Sequence, residues 1–172
     1  MVAAAVILDP DCPIEGLADS KRLTIRQRQI LAQVIKKKAV SWAIGRAEPS
    51  EIDRINILQA SLVAMVRSVA SLQLVPDWLM VDGNQYPPIL LPGETVIHGD
   101  ALVPAISAAS ILAKVARDHE MEFLDKLYPG YEFCRHKGYP TKLHQEKLRQ
   151  YGVTPIHRTS FAPVKKIINL SL

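Results

Sequence analysis

The stretch HGDALVPAISAASILAKVARD, residues 98–118, joins an aspartate, Asp100, to a long run of small and apolar residues. Residues 94–97, ETVI, just before it predict a short strand that ends at Gly99-Asp100. Pro104 favours the start of a helix, which we place at about residues 104–127. The first turns of this helix carry almost no bulk, and their free amides suit a phosphate. Strand, aspartate and helix together predict a ligand-binding edge of a sheet.

Strands and helices alternate on both sides of this stretch. The run VAAAVIL, residues 2–8, is apolar throughout, which is typical of a strand buried on both faces. Further strands are predicted at 40–46 and 78–81, and helices at 21–39, from 49 to about 70, and at 141–150. The order indicates an α/β or α+β layered domain. We expect one domain over residues 1–172, with a short tail at 165–172.

Composition and charge limit the class of protein. The chain has 172 residues, 48% apolar and 22% charged, which suits a single folded domain and argues against disorder. Its net charge of +4 favours a polyanionic partner, although many soluble domains are equally basic. Cys12 and Cys134 are too far apart for a zinc motif and are compatible with a reducing cytoplasm. No segment approaches the ~20 apolar residues of a membrane helix, so we expect a cytoplasmic protein without a membrane segment.

Asp82 and Asp100 are the candidate catalytic and metal-binding residues. Each follows an apolar strand at the point where the chain leaves the sheet. Carboxylates at such positions converge over a sheet edge, and hard oxygen ligands suit Mg²⁺ or Mn²⁺. A pair of these ions can activate water and stabilise the leaving oxygen of a phosphodiester. For Asp82 an ordinary Asp-Gly turn remains the alternative.

Two further features suit nucleic acid. Ser107, Ser110 and Lys114 fall at i, i+3 and i+7, on one face of the helix, where they can contact phosphate. The alternative is a tightly packed core helix with two tolerated serines. Tyr139 lies in the turn HKGYPT, residues 136–141, beside potentially cationic side chains. It can stack on a sugar or base, unless it is simply a half-buried tyrosine of a surface turn.

Taken together, several motifs resemble bacterial ribonuclease HII, the type 2 ribonuclease H. The similarity runs from the first residues to about residue 164, with the blocks in the family's order and spacing. The blocks are DSKRL (19–23), EIDRINILQA (51–60), VDGN (81–84), the 98–118 stretch, HKGYPT (136–141) and HRTSFAPV (157–164).

The resemblance implies a ribonuclease H-like fold, a mixed sheet flanked by helices with a C-terminal helical segment. It also implies hydrolysis of RNA in RNA–DNA hybrids, including incision 5′ of single ribonucleotides in duplex DNA. The enzyme is expected to be a monomer that uses Mn²⁺ or Mg²⁺. Asp82 and Asp100 match the third and fourth of four metal-binding carboxylates, and Tyr139 matches the tyrosine at the ribonucleotide–deoxynucleotide junction. Lys21 falls in the motif near the substrate backbone. Phosphate contacts by Ser107, Ser110 and Lys114 extend this interpretation.

One departure from the family pattern concerns the metal site. In the family a strand bearing Asp-Glu-x-Gly-Arg-Gly precedes the run that is VAAAVIL here, and this first, central strand of the order 3-2-1-4-5 is missing. We therefore expect this 172-residue chain to lack two of the four metal-binding carboxylates and to be catalytically inactive. The alternatives are a catalytically inactive hybrid-binding remnant and another two-metal nuclease of the same fold. A small-molecule α/β enzyme is disfavoured, because no glycine-rich phosphate loop or nucleophile motif is present.

Overall fold

The computed structural model describes residues 1–17 and 22–170. Strands and helices alternate as predicted, and short helices follow. In chain order they are β1 (Val2–Ile7), α1 (Ile25–Lys38), β2 (Ser41–Arg46), α2 (Pro49–Ala70), β3 (Leu79–Asp82), β4 (Gly93–Val96), α3 (Gly99–Leu102), α4 (Pro104–Leu127), α5 (Phe133–His136), α6 (Lys142–Tyr151) and α7 (Ala162–Leu170). The mixed α/β class and the C-terminal helical segment are therefore confirmed.

The described strands form two separate pairs. β1 and β2 are antiparallel, with Val2 opposite Arg46 and Ile7 opposite Ser41. β3 and β4 are parallel, with Leu79 opposite Gly93. Within the described residues no ladder joins one pair to the other.

Helices cover both faces of the β1–β2 pair. On one face, Ala4 and Ile44 pack against the core of α1 and α4, which includes Ile35 and Ile111. On the other face, Ala3 packs against the apolar residues of α2. Successive side chains of a strand point to opposite faces, so adjacent residues of β1 contact different helices. The pair is thus the middle layer between α2 and the α1–α4 packing.

Small residues allow α2 to approach the sheet closely. A Cβ added to Gly45 would lie 1.9 Å from the carbonyl oxygen of Ala64 and 2.5 Å from the backbone nitrogen of Ser68. Ala60 and Ala64 are fully buried at this contact. The helix is itself interrupted at Asn56, whose φ of 67° is left-handed and whose Oδ1 accepts a hydrogen bond from the Gln59 amide. That bond starts the second half of α2, because it satisfies an amide that has no helical partner.

Three details differ from the sequence predictions. β1 is less buried than expected, since only Ala5 is fully buried and its other residues are half-buried. α1 begins at Ile25, where Thr24 and Gln27 form a capping box, rather than at residue 21. The predicted tail, residues 165–172, includes the end of α7. Lys21 lies outside the described residues.

The contact at Gly45 gives a stability prediction. Gly45→Ala forces a methyl group into backbone atoms of α2, so either β2 or the helix must shift. We expect the free energy of unfolding to fall by about 1–3 kcal/mol, as is usual for an overpacked core. Denaturant unfolding measures this loss, with the exposed Val40→Ala as the control, which should change stability by about 0.5 kcal/mol or less. Equal stabilities of the two variants would contradict this packing.

Candidate functional site

Asp82 and Asp100 come to the same edge of the parallel pair. Asp82 is the last residue of β3 and lies opposite Val96, the last residue of β4. Parallel strands end at one edge, so the turn after β4 delivers α3, and Asp100 within it, beside Asp82. The Asp82 Oδ1 atom accepts a hydrogen bond of 2.9 Å from the amide of Gly99, the residue before Asp100.

Two glycines make this arrangement possible. Gly83 has a φ of +100°, which lets the chain turn away immediately after Asp82, and its amide donates to the Val96 carbonyl at 2.9 Å. A Cβ on Gly99 would lie 2.6 Å from Ile106 Cδ1 and 3.4 Å from Asp82 Oδ1. A larger residue at position 99 would therefore require the Ile106 side chain to move and would crowd the Asp82 carboxylate.

The donor set fits a hard divalent cation in part. Asp82 is exposed, whereas Asp100 is 5% exposed, so the pair offers one accessible and one buried carboxylate. Mg²⁺ is commonly held by one or two carboxylates, with water and substrate phosphates as the other ligands. Among residues 1–17 and 22–170, no group of three or more His, Cys, Asp and Glu side chains is arranged to hold a metal ion. These residues accordingly fit a portion of a metal site, not a complete protein cage.

Tyr139 is presented on an exposed loop next to Lys114. The loop follows α5, where Lys137 and Gly138 both have left-handed φ values, 50° and 80°. The Tyr139 side chain is 62% exposed, and Lys114 Nζ lies 5.9 Å from the centroid of its ring. The structure thus brings together two of the predicted nucleic-acid contacts, which are 25 residues apart in the sequence.

The predicted phosphate contacts on α4 are more buried than Tyr139. Lys114 Nζ donates to Asp118 Oδ1 at 2.7 Å, and Asp118 is also 3.9 Å from Arg28 of α1. Ser107 is 3% exposed, which favours the packed-helix interpretation for that residue. Ser110 is half-buried and lies one turn nearer to Lys114.

A cluster of three buried histidines was not predicted from the sequence. His136, His144 and His157 are 4%, 4% and 7% exposed, and they lie beneath the Tyr139 loop. The rings of His136 and His144 stack with centroids 4.1 Å apart. Nε2 of His144 is 3.3 Å from Nε2 of His157. HKGYPT and HRTSF each contain one of these histidines, yet nothing in either motif signals that they meet.

Burial keeps the histidine cluster neutral. It lowers the pKa of each ring, and that of His157 most, to about 4. The neighbouring rings add to this for His144 and His157, because a second positive charge nearby is unfavourable. The cluster is therefore uncharged at neutral pH.

Asp53 is a second group whose importance only the structure reveals. Its carboxylate accepts hydrogen bonds from the amides of Thr159 at 2.7 Å and Ser160 at 2.9 Å, and from both hydroxyl groups. These bonds lower the pKa of Asp53 to about 2 against the opposing effect of desolvation. Asp53 lies in α2, so the bonds tie the segment after His157 to the first half of that helix.

Comparison with known proteins gives a family match over most of the chain. The family model described as Ribonuclease HII matches residues 1–164. Ribonuclease H2 from Pyrococcus horikoshii OT3 is similar at 26% identity with a TM-score of 0.78, over 99% of this chain and 98% of that chain.

Two more distant structures share the fold alone. Bst-RNase HIII, solved in complex with Mn²⁺, is 18% identical with a TM-score of 0.73, over 99% of this chain and 64% of that chain. A chain of the PCNA:RNase HII complex from Archaeoglobus fulgidus is 20% identical with a TM-score of 0.65, over 85% and 78% of the two chains. Separately, no helix within the described residues is long and apolar enough to cross a membrane.

The histidine cluster predicts an acid-sensitive stability. The unfolded histidines titrate near pH 6.5 and the folded ones lower, so the unfolded chain binds more protons between about pH 6.5 and 4. The contribution of the cluster to the free energy of unfolding is fully present above about pH 6.5 and is lost as the pH drops through this window. The slope is at most about 1.4 kcal/mol per pH unit for each histidine.

Denaturant unfolding at pH 7.5, 6.0 and 5.0 measures this effect. The exposed His119 supplies the control, because His119→Asn should leave the pH profile unchanged. Asp53 contributes separately. Because its pKa is lowered, the stability that its ionised form contributes is lost only below about pH 4. A free energy of unfolding that is constant from pH 7.5 to 5.0 would rule out a neutral buried cluster.

Proposed function

The chain belongs to the ribonuclease HII family, and we propose that it hydrolyses RNA in RNA–DNA hybrids. We extend the proposal to incision on the 5′ side of single ribonucleotides embedded in duplex DNA, leaving a 3′-hydroxyl and a 5′-phosphate. The observation that carries it is the pair of aspartates at one edge of the β3–β4 pair, with Asp82 held by the Gly99 amide. The family match adds the reaction class.

Asp82 and Asp100 would hold Mn²⁺ or Mg²⁺ at this edge. Such an ion supplies activation of the attacking water and stabilisation of charge on the phosphodiester. The Gly99 amide fixes one oxygen of Asp82 and thus orients the carboxylate, which lowers the cost of ordering it when a ligand binds. The burial of Asp100 keeps bulk water from competing at that side of the pair.

The substrate would lie across the face that carries Tyr139 and Lys114. An exposed tyrosine ring next to a lysine offers stacking to a sugar or base and attraction to phosphate. Ser110 lies on the same face of α4 and is our candidate for a further phosphate contact, as is Lys21, which lies outside the described residues. Ser107 is retained only as a weaker candidate because of its burial. The net charge of +4 supports a polyanionic substrate.

We expect the 172-residue chain on its own to bind hybrid without cleaving it. The resemblance implies four carboxylates, and the described residues bring Asp82 and Asp100 together without a third metal-binding side chain. Affinity for nucleic acid comes mainly from basic and backbone contacts, which remain. We also propose that the protein acts in the cytoplasm as a monomer, with the two half-buried free cysteines supporting a reducing compartment.

A cleavage assay tests the assignment of the two aspartates. A fusion that places an Asp-Glu-x-Gly-Arg-Gly strand and its turn ahead of Met1 should cleave with Mn²⁺ or Mg²⁺, whereas the 172-residue chain should not. In the fusion, Asp82→Asn and Asp100→Asn should each abolish cleavage with little change in hybrid affinity, because metal ligands act mainly on the transition state.

Asp77→Asn is the matched control, since Asp77 is exposed just before the same strand and should tolerate the change. Near-normal turnover of the Asp82 or Asp100 variant at millimolar metal would remove that residue from the site. Cleavage by the unmodified 172-residue chain would show that two carboxylates suffice.

Tyr139 gives a second prediction, measured as binding and as cleavage by the fusion. Tyr139→Ala should cost about 1–3 kcal/mol of stacking, and should reduce cleavage at a ribonucleotide–deoxynucleotide junction more than in a uniform hybrid. Tyr139→Phe should be milder, because the ring is retained. Phe123→Ala serves as the control, since Phe123 is an exposed aromatic residue elsewhere on α4. Equal losses on both substrates would make Tyr139 merely structural.

A further inference from the structure

The loop that carries Tyr139, residues 137–141, is bonded at several backbone atoms to the three-histidine cluster. The carbonyl of Tyr139 is 3.0 Å from His144 Nδ1, and its amide donates to the His136 carbonyl at 2.8 Å. The Gly138 amide donates to His136 Nδ1 at 3.1 Å. The tyrosine side chain remains exposed, so what fixes its position is its backbone.

The pattern of donors and acceptors fits three neutral rings, and for His136 and His144 it requires them. A carbonyl oxygen only accepts, so His136 Nε2 donates to the backbone carbonyl of Tyr131, and His144 Nδ1 donates to that of Tyr139. An amide only donates, so His136 Nδ1 and His157 Nδ1 accept, the latter from Thr154 at 3.1 Å. His157 Nε2 then donates to His144 Nε2, and every ring nitrogen has one role.

Adding a proton to His136 or His144 sets two donors against each other. On His136 the new N–H would face the Gly138 amide, and on His144 it would face the N–H of His157. On His157 the new N–H could instead donate to the Thr154 hydroxyl oxygen, 2.8 Å from Nδ1. The loop and the cluster are therefore held by one network, which protonation of His136 or His144 would break.

We propose that this cluster positions Tyr139 for the nucleic-acid junction, with His144 as the positioning residue that holds the Tyr139 carbonyl. The inference rests on the proposed function of Tyr139. Because the rings lie under the loop and not at its exposed surface, they contact the loop backbone and act through it. Protonation of His136 or His144 at acidic pH releases the loop.

The charged groups around the cluster do not outweigh the effect of burial on its protonation. Asp125 of α4 and Glu132 before α5 face His136 and favour its charged form, while burial has the larger effect in the opposite direction. Glu132 is itself engaged by Arg135 and by Lys147 at 2.8 Å. On the other side, the guanidinium of Arg117 lies beside Gly138 and is paired with Glu120 at 3.0 Å.

Two substitutions of His144 separate positioning from packing. His144→Asn keeps a side-chain N–H near the place of Nδ1, whereas His144→Phe keeps the stacked ring and loses the hydrogen bond. In the free 172-residue chain, we expect His144→Phe to raise hydrogen exchange of the Gly138, Tyr139 and Thr141 amides about tenfold or more, with core amides unchanged. His144→Asn should stay within about threefold of the parent. Equal exchange in the two variants would overturn the proposal.

A double-substitution cycle then connects the loop to nucleic acid. For a DNA duplex with one ribonucleotide, His144→Phe should weaken binding about as much as Tyr139→Ala, and the double variant should be no weaker than Tyr139→Ala alone. Additive losses would mean that His144 acts independently of Tyr139. If Tyr139→Ala alone leaves binding unchanged, the stacking role fails, and loop exchange still decides the positioning role.

Acidification and a milder variant complete the test. Loop protection in the parent should fall as the pH drops below about 6.5, the ordinary pKa of histidine, and the same fall should appear in the control His119→Asn. If His144→Phe does not fold, His157→Asn removes the N–H that faces His144 and should raise the same amide exchange. Loop protection that is constant with pH, or unaffected by His157→Asn, would overturn the proposal.

Discussion

The fold depends on the close packing of α2 against the β1–β2 pair. Gly45 has no space for a Cβ, because the backbone of α2 at Ala64 and Ser68 occupies that position. Small residues on both sides permit this approach, and the other face of the same two strands is then free to pack on α1 and α4. Since close-packed interiors tolerate little change in volume, this packing fixes where α2 and α4 lie. Asp53 of α2 binds the segment after His157, and Lys114 of α4 lies beside Tyr139. The packing therefore also determines where these two C-terminal segments are held.

A glycine also permits a close approach of two segments at the two aspartates. Gly99 admits α3 to within contact of β3 and presents its amide to Asp82. A strand-end aspartate followed by glycine is common in ordinary turns, and what distinguishes Asp82 is that its carboxylate is oriented by the next loop along the sheet edge. A fixed carboxylate binds a cation at a lower entropic cost than a mobile one. The aspartate pair is consequently preorganised for the metal site that we propose.

Much of this could be predicted from the sequence because it depends on local patterns. The periodicity of apolar residues located the strands and the long helix α4, which runs over Pro104–Leu127 as predicted. The start of α1 was misplaced although Thr24 and Gln27 carry the signal of a capping box. The break at Asn56 was not foreseeable, because a left-handed asparagine inside a helix is decided by the packing around it.

The histidine cluster was beyond sequence reasoning for a different reason. Its rings come from three segments of the chain that meet only through tertiary structure. Once folded, the segment after His157 is fixed on α2 by Asp53, whose carboxylate accepts bonds from Thr159 and Ser160. His157 in turn bonds to His144, which bonds to the Tyr139 carbonyl. The exposed tyrosine is thus connected to α2 through a series of contacts, of which the hydrogen bond between His144 and His157 is buried. A buried hydrogen bond is electrostatically stronger than one in water. A surface residue acquires a defined position in this way without being buried itself.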